Sequence, residues 1–220
     1  MKTIKYHPIL FSTPMVQAKL ENRKNQTRRT KGLEKVNINP DEWKFEAFGT
    51  NPDNENDKNL HAYFTVKGTE TWMYQKCPYN VGDVLWVRET SYECISENLQ
   101  GVFYYKATML SSWSFKWKQS IFMPKKACRI FLKIKSIKVE RLQDISEEDA
   151  KAEGVKFLPN GSYRNYHEEE IDQNYMYTKQ AKISFETLWE SINGFDSLAS
   201  NPYVFVYEFE QIEKPLDFIV

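Results

Sequence analysis

Five side chains near the start of the chain could do chemistry together, because they lie within a stretch of seven residues. Arg23, Lys24, Thr27, Arg28 and Arg29 supply guanidinium, ammonium and hydroxyl groups. Such donors suit a phosphate, a nucleobase or a polar carbonyl group as ligand. The cluster follows a short apolar segment directly, so a buried element can deliver it to the start of a strand. We take it as the first candidate site.

A second candidate site lies at the end of an apolar run. Arg88 and Glu89 follow residues 84–87, whose continuous apolar character is typical of a buried strand. Two interpretations stay open: a buried ion pair that holds the sheet together, or two side chains that line a pocket. We favour the pocket, because strand ends border the clefts of small barrels.

A third candidate is the segment 111–135, in which aromatic residues alternate with basic ones. Its candidate ligand-binding residues are Trp113, Trp117, Lys125, Lys126 and Arg129. Aromatic rings can stack on bases while neighbouring cations pair with phosphates. The alternative is a solvated basic strand face with tryptophans in the core.

A strand and a short helix should position the first cluster. Ile9 to Phe11 form an apolar run. Ser12 and Pro14 then predict a helix start, because serine caps helices and proline lacks the N–H that would be unpaired there. The helix is expected to end near Asn22, a residue that tolerates a left-handed backbone.

The later sequence predicts several strands and two more helices. Strands are expected over 102–106, over 129–142 with a bulge or break near Ser136, and over 202–209. Helices are expected from Glu147 to Gly154, with Ser146 as N-cap, and over 178–192. This order predicts an α+β fold, with a small β-barrel or curved mixed sheet flanked by helices.

The domain organisation follows from where the polar segments fall. We expect a single domain, 1–220, that carries two loop-rich insertions at about 31–75 and 156–177. The first insertion is rich in asparagine and proline, and a hairpin closed near Lys67 and Gly68 is expected inside it. The second is polar and rich in tyrosine.

Composition narrows the classes of function. Lysine and arginine total 30 and aspartate and glutamate total 30, so nucleic acid would have to bind at local patches. The 3 cysteines are far apart and form no CxxC pair, so we expect no zinc site and no cofactor. The N-terminus has no apolar signal region and no run approaches membrane-spanning length, which favours a cytoplasmic protein without membrane partners.

The motifs resemble those of the ASCH family, and most closely its phage and prophage-type members. The stretches that carry the resemblance are KNQTRR, CPYNVGDVLWVRET, RLQDISEEDAKAEGV, LWESING and NPYVFVYEF. The resemblance covers most of the chain outside the two insertions and implies a PUA-like fold. The family commonly has glycine before its Arg-Lys pair, whereas this chain has Asn22. Asparagine also adopts positive φ, so we expect the turn to be kept.

Some small ASCH proteins hydrolyse acetylcytidine with a lysine, a threonine and a glutamate, and the resemblance places Lys24, Thr27 and Glu153 at those positions. A buried lysine beside other cations has a lowered pKa and can act as a base. It would activate the Thr27 hydroxyl or a water for attack on an amide carbonyl, and Glu153 would relay a proton to the leaving amine.

Three classes of function therefore stay open. The first is recognition of RNA or a modified nucleoside in a basic pocket near Lys24, Thr27, Arg88, Glu89 and Glu153. The second is metal-independent hydrolysis of an acetylated cytidine. The third is a phage or prophage interaction module, with the tyrosine-rich insertion around Tyr163 to Tyr177 as its contact surface. The oligomeric state is left open by the sequence.

Overall fold

The computed structural model describes residues 4–94, 101–109, 115–167 and 177–218. The fold is of the α+β class, as the sequence predicts. The helices described are α1 (Thr13–Leu20), α2 (Glu147–Ala152) and α3 (Ala181–Asn193). The strands are β1 (Tyr6–Leu10), β2 (Gln26–Arg29), β3 (Trp43–Gly49), β4 (His61–Val66), β5 (Trp72–Lys76), β6 (Val84–Arg88), β7 (Ser91–Glu93), β8 (Phe103–Tyr105), β9 (Phe131–Arg141), β10 (Tyr163–Arg164), β11 (Tyr177–Thr178) and β12 (Tyr203–Ile212).

A five-stranded mixed sheet forms the centre of the molecule, in the order β1-β6-β9-β12-β2. The β1–β6 pair is parallel and the other three pairs are antiparallel. Among the described strands the sheet does not close into a barrel by hydrogen bonding, so a mixed sheet is observed and the predicted barrel is not. Its edge strands nevertheless approach each other, since Arg29 Nη2 of β2 donates to the Leu10 carbonyl of β1 at 3.0 Å.

Strand β12 explains how one sheet supports two cores. Its aromatic residues Tyr203, Phe205, Tyr207 and Phe209 belong to the main core, which also holds residues of β1, β6 and β9. The alternate residues Val204 and Val206 pack with α2 and α3 on the other face. Because successive side chains of a strand point to opposite faces, the alternation in sequence produces both cores.

The irregularity predicted near Ser136 is a bulge within one long strand. Ser136 pairs with Glu208, and the next pair along joins Ile134 to Phe209, so Lys135 is an extra residue on β9. Such a bulge bends the strand and increases its twist.

The segment 31–75 holds more regular structure than its composition predicts. The expected hairpin is β4–β5, and β3 extends it to a three-stranded antiparallel sheet. Leu33, Val36, Ala62 and Phe64 are fully buried in the main core. This segment is therefore loop-rich only in part, and its apolar residues contribute to the central core.

Helix ends carry the local signals that the sequence indicates. The Ser146 hydroxyl accepts a hydrogen bond from the Asp149 N–H at 3.1 Å, which caps α2. Helix α3 begins at Ala181, three residues later than predicted, because Thr178 belongs to β11. Helix α1 begins at Thr13 with Pro14 in its first turn, and Asn22 beyond its end adopts φ of 57°, as expected.

Gly154 is required by both conformation and space. Its φ is 93°, and an added Cβ would lie 2.8 Å from Ala18 Cβ and 2.9 Å from Lys24 Cβ. We expect Gly154→Ala to lower the free energy of unfolding by about 2–4 kcal/mol, combining left-handed strain with overpacking. Gly161→Ala is the matched control, since Gly161 has φ of 75° and open space around it. Urea denaturation of both variants measures the difference, and equal losses would contradict the close packing of Gly154 on Lys24.

Candidate functional site

The turn after α1 carries Lys24 into the interior. The backbone N–H groups of Arg23 and Lys24 donate to the Ala18 carbonyl, and Asn25 N–H donates to the Ala152 carbonyl at 2.9 Å. The Lys24 side chain is only 1% exposed. Its Nζ lies 2.8 Å from Glu153 Oε2 and 2.9 Å from the Glu153 carbonyl oxygen. A lysine and a glutamate that are distant in sequence thus form a buried ion pair.

Arg28 joins this pair to a larger charged network. Its guanidinium donates to Glu153 Oε1 at 3.1 Å, to Glu140 Oε1 at 2.7 Å and to Asp149 Oδ2 at 3.2 Å. Gln26 Nε2 also donates to Asp149, at 2.9 Å. Burial alone would lower the pKa of Arg28, but the nearby carboxylates of Glu153 and Glu140 outweigh it and raise the pKa. Both oxygens of Glu153 therefore accept from cations.

Burial and neighbouring charges shift the pKa of Lys24. Burial lowers its pKa most, the Glu153 carboxylate offsets part of this effect, and the positive charges of Arg29 and Arg28 lower the pKa further. The net pKa is below that of an ordinary lysine.

A cavity of about 200 Å³ lies between β2 and α3; we call it the inner pocket. Its polar wall is formed by Thr27, Arg28, Arg29 and Glu153. Its opposite wall is apolar and comes from α3, through Phe185, Leu188, Trp189 and Ile192. The pocket thus combines a charged wall with an aromatic one, as small-molecule sites commonly do.

Two features concern the aromatic wall of the inner pocket. The Arg28 guanidinium carbon lies 5.7 Å from the centre of the Phe185 ring, next to Trp189 on the same helix. Trp189 is 7% exposed, and its Nε1 is buried without a hydrogen-bond partner in the described structure. Buried donors are usually satisfied, so Trp189 Nε1 is an exception on a residue that lines the pocket.

The five residues of the first candidate cluster make different contacts in the structure. Thr27 is 1% exposed and lines the inner pocket with Glu153. Lys24 lies against Glu153 and does not itself line that pocket. Arg23 donates to the Gly154 and Val155 carbonyls and to Glu21, so it fixes the chain around α2. Arg29 lines the pocket and donates to Leu10.

Arg88, Glu89 and Arg129 form a separate group. Glu89 is 1% exposed and accepts two hydrogen bonds from Arg129, at 2.8 and 2.9 Å. Arg88 donates to the carbonyls of Met123 and Ile121. Glu89 therefore forms its ion pair with Arg129, and an ion pair between Arg88 and Glu89 is not what the structure shows. Neither Arg88 nor Glu89 is among the residues that line the inner pocket, so the pocket-lining interpretation does not hold for that pocket either.

In the basic and aromatic segment 111–135, several cations contact acidic or aromatic side chains of the protein itself. Lys126 pairs with Glu93 at 2.6 Å, and the Lys125 ammonium lies 4.4 Å from the centre of the Phe218 ring. The Arg129 guanidinium lies 3.9 Å from the Tyr105 ring centre. Trp117 is half-buried and packs edge-on against Phe115. Trp113 lies outside the described residues.

The tyrosine-rich insertion is described at its two ends only. Tyr163 and Tyr177 lie in the short antiparallel pair β10–β11, in which Tyr163 pairs with Thr178 and Arg164 with Tyr177. Residues 168–176 lie outside the described part, so a contact surface centred there is untested.

For several residues, the sequence gives no indication that they belong to the site. Glu140 and Asp149 have the types and positions of surface carboxylates, yet both bind Arg28. The α3 residues Phe185, Leu188 and Trp189 recur at helical spacing, which indicates burial without showing that part of the buried face borders a cavity. A second cavity beside Tyr207 is likewise not indicated by any motif.

The described ranges were also searched for metal sites and for membrane-spanning helices. Within them, no group of three or more histidine, cysteine, aspartate or glutamate side chains is arranged to hold a metal ion. No helix in the same ranges is both long and apolar enough to cross a membrane.

Comparison with known proteins found no match: no family model matches the chain, and no curated protein or solved structure is significantly similar to it.

Proposed function

We propose that this chain is a PUA-like protein related to the ASCH family, and that it binds a modified nucleoside in the inner pocket. One observation carries the proposal: the charged wall of Thr27, Arg28, Arg29 and Glu153 faces the aromatic wall of Phe185 and Trp189 across about 200 Å³. A nucleobase combines a flat π-face, which stacks on aromatic rings, with edge groups that hydrogen-bond to such polar residues. Acetylcytidine is the ligand class that the family resemblance favours.

A small ligand fits these features better than a strand of RNA. Arg129 and Lys126 are paired with Glu89 and Glu93, and Arg28 is shared among three carboxylates. Cations that are neutralised internally contribute little to binding a phosphate backbone. Single-stranded RNA that bound through backbone phosphates would lose affinity with salt at a log–log slope of about −0.7 per phosphate. We expect nucleoside affinity to change much less with salt.

Blocking the pocket mouth tests the proposal. Ile192 is 47% exposed and lines the inner pocket, whereas Ile183 is 39% exposed on the same helix and does not. We expect Ile192→Trp to weaken acetylcytidine binding at least about 10-fold, because the larger side chain overlaps the ligand, which corresponds to about 1.4 kcal/mol. Ile183→Trp should leave the affinity within about twofold.

Isothermal titration calorimetry of the wild type and both variants gives the comparison. Absence of acetylcytidine and cytidine binding to the wild type, or equal affinities of the two variants, would reject the inner pocket as the nucleoside site.

A second candidate function is hydrolysis of the acetyl amide of that nucleoside. The observation that favours it is the 2.8 Å contact between Lys24 and Glu153, together with Thr27 and Glu153 on one pocket wall. Thr27 Oγ would attack the acetyl carbon, and its proton would pass through a water to Lys24 in its neutral form, since Lys24 contacts Glu153 but does not itself line the pocket. The C–N bond then breaks, the leaving amine takes a proton relayed by Glu153, and water hydrolyses the acyl-threonine to acetate. Release of cytidine from acetylcytidine measures this activity directly.

A further inference from the structure

A second cavity lies in the gap between the two edge strands of the central sheet. It has a volume of about 210 Å³, and we call it the edge cavity. One side is apolar and comes from β1 with Pro78. The other side is polar and comes from Arg29, Lys31, Tyr79 and Tyr207. Arg29 and Lys31 line the inner pocket as well, so the two cavities adjoin at these residues.

Two residues that line the edge cavity each carry a buried polar atom with no hydrogen-bond partner within the described structure. The two atoms are Arg29 Nε and Tyr207 Oη. The Tyr207 side chain is 0% exposed, so its hydroxyl has no access to bulk water. Most buried polar atoms in folded proteins are hydrogen-bonded, so these two donors, on residues that line one cavity, are exceptions.

The lining of the edge cavity is positively charged. It includes Arg29 and Lys31 and no carboxylate. Arg28 next in sequence binds three carboxylates, whereas the hydrogen bond of the Arg29 guanidinium goes to the Leu10 carbonyl. Burial lowers the pKa of Arg29, and the more distant charge of Glu153 offsets only part of that effect. Arg29 is half-buried and Lys31 is exposed, and an anion in the edge cavity would be stabilised by the positive charge of both.

We infer that the edge cavity is a phosphate-binding site, in which Arg29 Nε and Tyr207 Oη donate to phosphate oxygens and Lys31 adds positive charge. A phosphate group fits because its oxygens accept charge-assisted hydrogen bonds from several directions, and here the donors come from different strands. Because Arg29 and Lys31 border both cavities, the phosphate is that of a nucleotide whose nucleoside part occupies the inner pocket. This last step rests on the proposed function.

Two tyrosines on one face of β12 provide a sharp test. Tyr203 Oη donates to the Trp43 carbonyl at 2.8 Å, whereas Tyr207 Oη has no partner. We expect Tyr207→Phe to keep or raise the melting temperature and to weaken binding of cytidine 5′-monophosphate about 10-fold, with cytidine binding unchanged. Tyr203→Phe should show the opposite pattern, with a lower melting temperature and unchanged affinity for the nucleotide.

Calorimetric titrations with cytidine, cytidine 5′-monophosphate and inorganic phosphate separate the outcomes. The wild type should bind the nucleotide at least about 10-fold more tightly than the nucleoside. If cytidine binds and the phosphate adds no affinity, or if Tyr207→Phe weakens both ligands equally, the phosphate site is overturned while the nucleoside pocket stands. If neither nucleoside nor nucleotide binds but inorganic phosphate binds in a Tyr207-dependent way, the phosphate site stands and the nucleoside proposal falls.

Discussion

Replacing Glu153 by alanine is expected to lower the free energy of unfolding by about 3–5 kcal/mol at pH 7, the largest stability loss that we predict for this chain. Glu153 is 5% exposed and pairs with Lys24 and Arg28. Arg28 keeps Glu140 and Asp149 when Glu153 is removed, but Lys24 loses its carboxylate partner. The loss therefore comes mainly from a buried ammonium left without compensating charge.

The loss should shrink as the pH rises. Burial already holds the Lys24 pKa below its usual value, and removal of Glu153 lowers it further because that carboxylate raises it. Between the pKa of Lys24 in the folded protein and its unfolded value of about 10.4, the unfolded chain binds more protons, so the free energy of unfolding increases with pH. This increase begins at a lower pH in the variant than in the wild type, because Lys24 has the lower pKa in the variant. The difference in stability between the two proteins therefore becomes smaller. Urea denaturation at pH 7 and pH 9 should give a smaller deficit at pH 9.

A matched carboxylate deletion provides the control. Glu21 pairs with Arg23 at 2.7 Å, and its side chain is 58% exposed. Glu21→Ala should change stability by no more than about 1 kcal/mol, as is usual for exposed pairs. If Glu153→Ala were equally mild, or if its effect were the same at both pH values, the network would not be buried as described.

Replacing Thr27 by valine is expected to reduce release of cytidine from acetylcytidine by at least about 1,000-fold, if the chain is the proposed hydrolase. Loss of a nucleophile in a catalytic triad causes effects of this size or larger. Valine preserves the β-branched shape that suits β2, so the variant should fold and should bind the nucleoside with nearly wild-type affinity. Steady-state kinetics and calorimetry on the same preparation separate turnover from binding.

Thr27→Ser is the informative companion variant, since it keeps the hydroxyl and removes one methyl group. It should retain much of the activity that the valine variant loses. Equal turnover by the wild type and Thr27→Val would exclude Thr27 as nucleophile. Absence of turnover by the wild type would leave the pocket as a binding site alone.

Local signals in the sequence predict the elements that surround the site. Pro14 and Asn22 mark the two ends of α1, and Ser146 marks the start of α2, because capping depends on the residue at the cap itself. The alternation along β12 predicts its two buried faces for a similarly local reason. The sheet order and the open edge between β1 and β2 depend on long-range pairing, which these signals do not encode.

For the candidate site as well, the sequence indicates some residues, whereas the contacts between them depend on tertiary packing. The positions of Lys24 and Glu153 follow from resemblance, but their 2.8 Å contact depends on how α2 packs beside β2. Glu140 and Asp149 cannot be distinguished from surface acids in the sequence, since burial of their partner Arg28 is a tertiary property. Tyr207 falls within the strand predicted over 202–209, but its burial and the lack of a partner for its hydroxyl are visible only in the assembled core.

A crystal structure of the chain with acetylcytidine tests the nucleoside pocket most directly. We predict density for the base or its acetyl group between the Trp189 wall and the wall of Thr27, Arg28 and Glu153, with the sugar directed toward Arg29. An inner pocket that stays empty at saturating acetylcytidine, or a ligand bound elsewhere on the molecule, would contradict the proposed function.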